Sequence, residues 1–147
     1  HLDRLTHALM TPDHIPLDDS LKITRTGQHP QFIIVSDFLL PIAELTQMIS
    51  AAVGDGANGM LLHIADPAEI ALPFSGRTNF CDMAGQPLIT FGKVETIKDD
   101  YRATFDAHKN AVQAAAQKAG WQYHFCKTNS SPADTLALIY QYLHGRA

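Results

Sequence analysis

The chain is poor in the residue patterns that would place it quickly. It has only two cysteines, Cys81 and Cys126, in 147 residues. They form neither a C-x-x-C pair nor a zinc-type spacing. This argues against a disulfide framework and predicts two buried free thiols in a reducing compartment. No apolar run approaches the roughly 20 residues needed to cross a bilayer. The polar, acidic start does not read as a signal peptide, so a cytoplasmic location is expected. The chain opens on His1 instead of Met, which reads either as a fragment or as a chain that has lost residues at its start. Lys and Arg number 11 against 15 Asp and Glu, for a net charge of −4, and the basic residues are scattered. A nucleic-acid binder presents a clustered basic face, so this balance argues against one.

Catalytic signatures are also missing. There is no G-x-S-x-G elbow, no phosphate-binding P-loop and no H-E-x-x-H. Gly54-Asp55-Gly56 follows a helical segment, whereas a dinucleotide fingerprint follows a strand. The eight histidines do not cluster as metal ligands. His63 and His124 fall within strands, where a satisfied core imidazole is the commoner fate. His108 lies on a long helix beside Lys109.

The residues present describe one α/β domain over 1–147. Hydrophobic residues make up 46 % of the chain, and this length can bury a core without staples. Leu2, Leu5 and Leu9 predict a short first helix, and Leu17 to Thr26 a second. Gln31 to Ser36 is apolar on both faces, which predicts a central parallel strand covered by helices on each side. Pro41 opens a helix whose face carries Ile42, Leu45, Ile49 and Ala52. Gly59 to Ala65 is a second buried strand. Residues 78–82 and 87–91, around a turn at Ala84-Gly85-Gln86, predict a hairpin at a sheet edge. A long helix over 95–119 carries Ile97, Tyr101, Phe105, Val112 and Ala116 on one stripe and ends at Gly120. Trp121 to Lys127 is a third parallel strand. The last helix starts with Ser131 and Pro132, with Asp134 completing a weak capping box. Leu136, Ile139, Tyr140 and Leu143 are expected to face the core. The whole reads as a three-layer sandwich with a largely parallel sheet and a small edge hairpin.

Ligands of open α/β sheets bind beyond the carboxyl ends of the strands. Ser36-Asp37, Asp66-Pro67 and Lys127-Thr128 fall there. Asp37 is the candidate for a functional carboxylate, with magnesium the fitting cation; alternatively it caps the turn or the next helix. Asp66 and Glu69 could form a carboxylate pair, although Pro67 between them argues against one rigid helical face. Alternatively, Asp66 organises the turn and Glu69 pairs with a base such as Arg77.

The run Phe32-Ile33-Ile34-Val35-Ser36-Asp37-Phe38-Leu39 resembles the "SDF" strand end of the domain of unknown function 58 family. Asp66-Pro67-x-Glu69-x-x-Leu72-Pro73-x-x-Gly76 is similar to that family's D-P-x-E-x-x-L-P-x-x-G segment. Phe80-x-Asp82-x-x-Gly85 and Tyr101-Arg102 continue the likeness, which covers roughly residues 31–143. The resemblance implies a von Willebrand factor A-like fold. It also implies a protein-interaction role as cofactor or adaptor of a MoxR-type AAA+ ATPase in the assembly or maturation of other proteins, and no catalysis. In the wider fold a D-x-S-x-S loop, a Thr and a later Asp bind magnesium, and Asp37 stands in the place of that last Asp. No D-x-S-x-S occurs in the 147 residues. The resemblance therefore implies a domain short of its amino-terminal strands, with Asp37 lacking metal partners. Ser36, Asp37, Asp66, Glu69 and Thr128 are the expected interaction residues. An uncovered apolar edge predicts a homodimer. The rival reading is a small metal-assisted hydrolase or transferase built on Asp37, Asp66 and Thr128, with magnesium polarising a phosphoryl or carbonyl oxygen. It requires those three side chains to converge.

Overall fold

The computed structural model describes residues 30–81 and 87–144. The two helices expected before residue 30 and the turn at Ala84-Gly85-Gln86 lie outside the described residues. The protein is α/β. β1 (Gln31–Ser36), β2 (Asn58–Ala65) and β5 (Gln122–Lys127) form a three-stranded sheet, and β3 (Thr78–Cys81) pairs with β4 (Pro87–Phe91). The helices are α1 (Ile42–Gly54), α2 (Pro67–Ala71), α3 (Lys98–Lys118) and α4 (Pro132–His144), with one 3-10 turn at Val94–Ile97 before α3.

The three-stranded sheet is parallel throughout, in the order β1-β2-β5. Ile34 lies opposite Leu61, and Leu61 opposite Tyr123. Side chains alternate between faces along a strand, so this register puts Phe32, Ile34, Leu61 and Tyr123 on one face. α1 and α3 cover that face. Leu45 and Ile49 from α1 meet Val112 and Ala116 from α3 over Leu61, with Phe38 and Trp121 closing the ends. The expected stripes of α1 and α3 are therefore the ones that pack. Trp121 lies flat over Gly59, and a Cβ at that position would overlap the indole ring. Only glycine fits under that ring.

α4 lies on the opposite face. Its Thr135 hydroxyl reaches the Cys126 sulfur at 3.8 Å, and Cys126 is in register with Ile64 on the Met60-Leu62-Ile64 side of β2. Here the structure corrects the sequence reading. Leu136 (64 % exposed), Tyr140 (63 %) and Leu143 point to solvent, while Tyr142 is buried and Ile139 half-buried. The helix is rotated so that Thr135, Leu138, Ile139 and Tyr142 form its inward stripe.

Three further corrections concern sheet position and one thiol. Among the described residues β1 is an edge strand and β2 the central one, and Val35 is 56 % exposed although Ile33 and Ile34 precede it. The hairpin forms where expected, but as a separate two-stranded sheet, with Phe80 edge-on to both Phe74 and Phe91. Both cysteines are free, yet Cys81 is exposed and only Cys126 is buried.

Candidate functional site

The carboxyl end of the sheet carries two acidic turns. The first follows β1. Ser36 Oγ accepts from the Phe38 amide at 3.0 Å and donates to Asp37 Oδ1 at 3.3 Å. The same Oδ1 accepts from the Leu39 amide at 3.2 Å. Asp37 thus caps its own turn, and α1 begins later, behind Pro41, without a side-chain cap. Phe38 takes the left-handed conformation at φ 52°, a region that side chains other than Gly and Asn rarely adopt. The conformation has a clear consequence. It turns the Phe38 ring into the core, 1 % exposed, while the neighbouring Asp37 faces solvent.

Behind this turn stand two histidines. His108 on α3 reaches the Phe38 carbonyl through Nε2 at 2.8 Å. His63 on β2 is 2 % exposed, and its Nδ1 meets the Tyr123 hydroxyl at 3.0 Å. The rings of Phe38, Tyr123 and Phe125 surround the imidazole edge-on. Burial lowers the His63 pKa to about 4, and the nearby His108 and Lys109 push the same way. The Asp37 charge and backbone oppose them without prevailing. His63 is therefore a neutral, satisfied core imidazole, as expected of a strand histidine. Burial also raises the Tyr123 hydroxyl to about 12.

The second turn follows β2. Asp66 caps α2, with Oδ1 accepting from the Ala68 amide at 2.7 Å and Oδ2 from the Thr128 hydroxyl at 2.8 Å. Glu69 Oε2 in turn accepts from the Asp66 amide at 2.9 Å, which completes a capping box. Pro67 occupies the first helical position, where its missing N–H costs nothing. Asp66 organises the turn, as the alternative reading had it, while Glu69 turns to the Asp66 amide in place of the expected base. The Ala68 amide and then the Thr128 hydroxyl hold the Asp66 carboxyl below the usual carboxylate range. The Thr128 amide also donates to the Ala65 carbonyl at 3.1 Å, tying the ends of β2 and β5 together. Tyr101 on α3, a residue of the resemblance, is half-buried. Burial and the Glu69 charge push its hydroxyl up to about 12.

The structure thus brings Asp66, Glu69 and Thr128 together and keeps Asp37 on its own turn. Among the described residues no group of three or more His, Cys, Asp or Glu side chains is placed to hold a metal ion. Asp37 has the Ser36 hydroxyl beside it but belongs to no such group among the described residues, and both Asp66 oxygens already accept hydrogen bonds. No helix among the described residues is long and apolar enough to cross a membrane.

Sequence reasoning assigned no role to His108. A signal was present: His108 is three residues beyond Phe105 and four before Val112, on the inward stripe of α3. A polar residue on a core stripe calls for a partner, and the Phe38 carbonyl is that partner. No protein-family model, no curated protein and no solved structure matches this chain.

Proposed function

We propose that the chain is a protein-interaction module with a von Willebrand factor A-like fold, acting as an adaptor of a MoxR-type AAA+ ATPase in the assembly or maturation of other proteins. One observation supports this reading best: an exposed carboxylate, Asp37, sits on a short turn whose backbone is anchored from behind. Asp37 is the contact residue and Ser36 sets its rotamer. Asp66, Glu69 and Thr128 shape the neighbouring rim, where their charges and hydroxyl are held by one another and by backbone. Such a surface suits recognition of a basic or amide-rich partner loop, since a fixed carboxylate loses little freedom on binding. A cytoplasmic location belongs to the same reading, and so does pairing of two copies along β1, the edge strand among the described residues.

The test is affinity capture from source-cell lysate with magnesium and ATP present. An AAA+ ATPase of the MoxR type is expected among the retained proteins and is expected to be lost with Asp37→Ala. Retention that survives the substitution would remove Asp37 from the interface. Absence of any such ATPase would remove the adaptor reading.

A further inference from the structure

We propose that His108 and His63 are positioning residues, which set the place of the Asp37 carboxylate by holding the adjoining Phe38, His108 at its carbonyl and His63 at its ring. The inference rests on the reading of Asp37 as the contact residue. It adds that the contact is controlled from α3 and from the middle of the sheet.

The grip follows from what the turn demands. Once Phe38 is left-handed and its ring is inserted in the core, its carbonyl is turned toward α3. A buried carbonyl without a donor is costly, so nearly all such groups are paired. Phe38 O receives His108 Nε2 from α3 at 2.8 Å. The Phe38 ring meets the His63 imidazole from β2 edge-on, with ring centroids 5.4 Å apart. His63 is held in turn by Tyr123 of β5, whose hydroxyl lies 3.0 Å from His63 Nδ1. Three elements packed behind the turn, β2, β5 and α3, therefore converge on Phe38. The Ser36 and Leu39 contacts of Asp37 are local and exposed, so they orient the carboxylate but do not fix the turn to the body. A shift of α3 along its axis would pass through His108 to the Phe38 carbonyl and then to Asp37.

The experiment compares His108→Leu, His108→Gln and Tyr123→Phe with the wild-type chain. His108→Leu removes the donor, His108→Gln keeps an N–H, and Tyr123→Phe deletes only the hydroxyl that orients His63. Backbone amide exchange is read at Phe38 and Leu39, with Leu61 in the central strand as reference. Binding of a purified MoxR-type ATPase is measured in parallel. The expected result is exchange about tenfold faster at Phe38 and Leu39 in His108→Leu, a smaller rise in Tyr123→Phe, and an unchanged Leu61. His108→Gln is expected to restore wild-type exchange. ATPase affinity is expected to fall in His108→Leu and to recover in His108→Gln. Unchanged exchange at Phe38 and Leu39 in His108→Leu would overturn the proposal, as would affinity that stays low in His108→Gln while its exchange is normal. If the wild-type chain binds no ATPase, the adaptor reading fails, and the amide exchange still decides whether the histidines hold the turn.

Discussion

The turns after β1 and β2 both carry an exposed aspartate, yet they are held from opposite sides. At Asp66 the carboxylate itself is the fastener: one oxygen caps α2 and the other holds Thr128 at the end of β5. At Asp37 the fastening is done by backbone and by the neighbouring Phe38. The Phe38 carbonyl accepts from His108, the Phe38 ring is buried, and among the described residues the carboxylate hydrogen-bonds only within its own turn. A side chain whose atoms are engaged in structure is a poor partner for a ligand. A side chain held in place by its neighbours, with its own charge outward, is a good one. The comparison separates two aspartates that look alike in sequence.

Removal of the Phe38 ring attacks the Asp37 turn where it is anchored. Phe38→Ala is expected to lower stability by about 3–5 kcal/mol, the usual cost of emptying a buried aromatic site, as read by urea denaturation. A loss below about 1 kcal/mol would show that the ring is not the anchor.

Acid separates the turns next. His63 is neutral in the folded protein because its pKa is lowered to about 4 from 6.5. Its contribution is fully present above pH 6.5 and is lost as the pH falls from 6.5 toward 4, where the unfolded chain takes up a proton that the fold resists. The loss is roughly 3 kcal/mol across that window. The Asp66 carboxyl is held below its ordinary value of 3.8, so its contribution is present above that value and fades only below it. Denaturation at pH 7 and pH 4.5 should therefore differ in the wild type and much less in His63→Gln. An equal difference in both would place the acid-sensitive group elsewhere.

Thr128→Val cuts the link between Asp66 and β5. It is expected to lower Tm by less than either change above and to leave the amide exchange of Phe38 unaffected. A faster Phe38 amide in this variant would mean that the two turns are one unit. Asp37→Asn is expected to have the smallest effect on stability, within about 0.5 kcal/mol as for most surface changes. A larger loss would mean that its charge, like that of Asp66, is structural.

The local parts of this arrangement were legible in the sequence. The apolar runs ending at Ser36 and Ala65, the Pro41 helix start and the α3 stripe all depend on residues close in the chain, and each formed as expected. Position in the sheet is a non-local property. Nothing within Gln31–Ser36 distinguishes a central strand from an edge strand left with Val35 in solvent. The rotation of α4 failed for a related reason: Leu136, Tyr140 and Leu143 are as apolar as the inward stripe, and only the approach to Cys126 selects between them. At the site, the sequence marked Asp37, Asp66, Glu69 and Thr128. It did not show that three of them hold one another, because a capping box with Pro67 at its first helical position resembles a break. The His108 contact was hidden because its acceptor is a carbonyl, which carries no sequence signature.

The most direct measurement is the affinity of a purified MoxR-type AAA+ ATPase, with magnesium and ATP, for Asp37→Asn and Asp66→Asn beside the wild type. The account predicts a loss of about tenfold or more for Asp37→Asn, as for removal of a charged contact, and near-wild-type affinity for folded Asp66→Asn. Equal affinity of all three proteins, or a loss confined to Asp66→Asn, would contradict it.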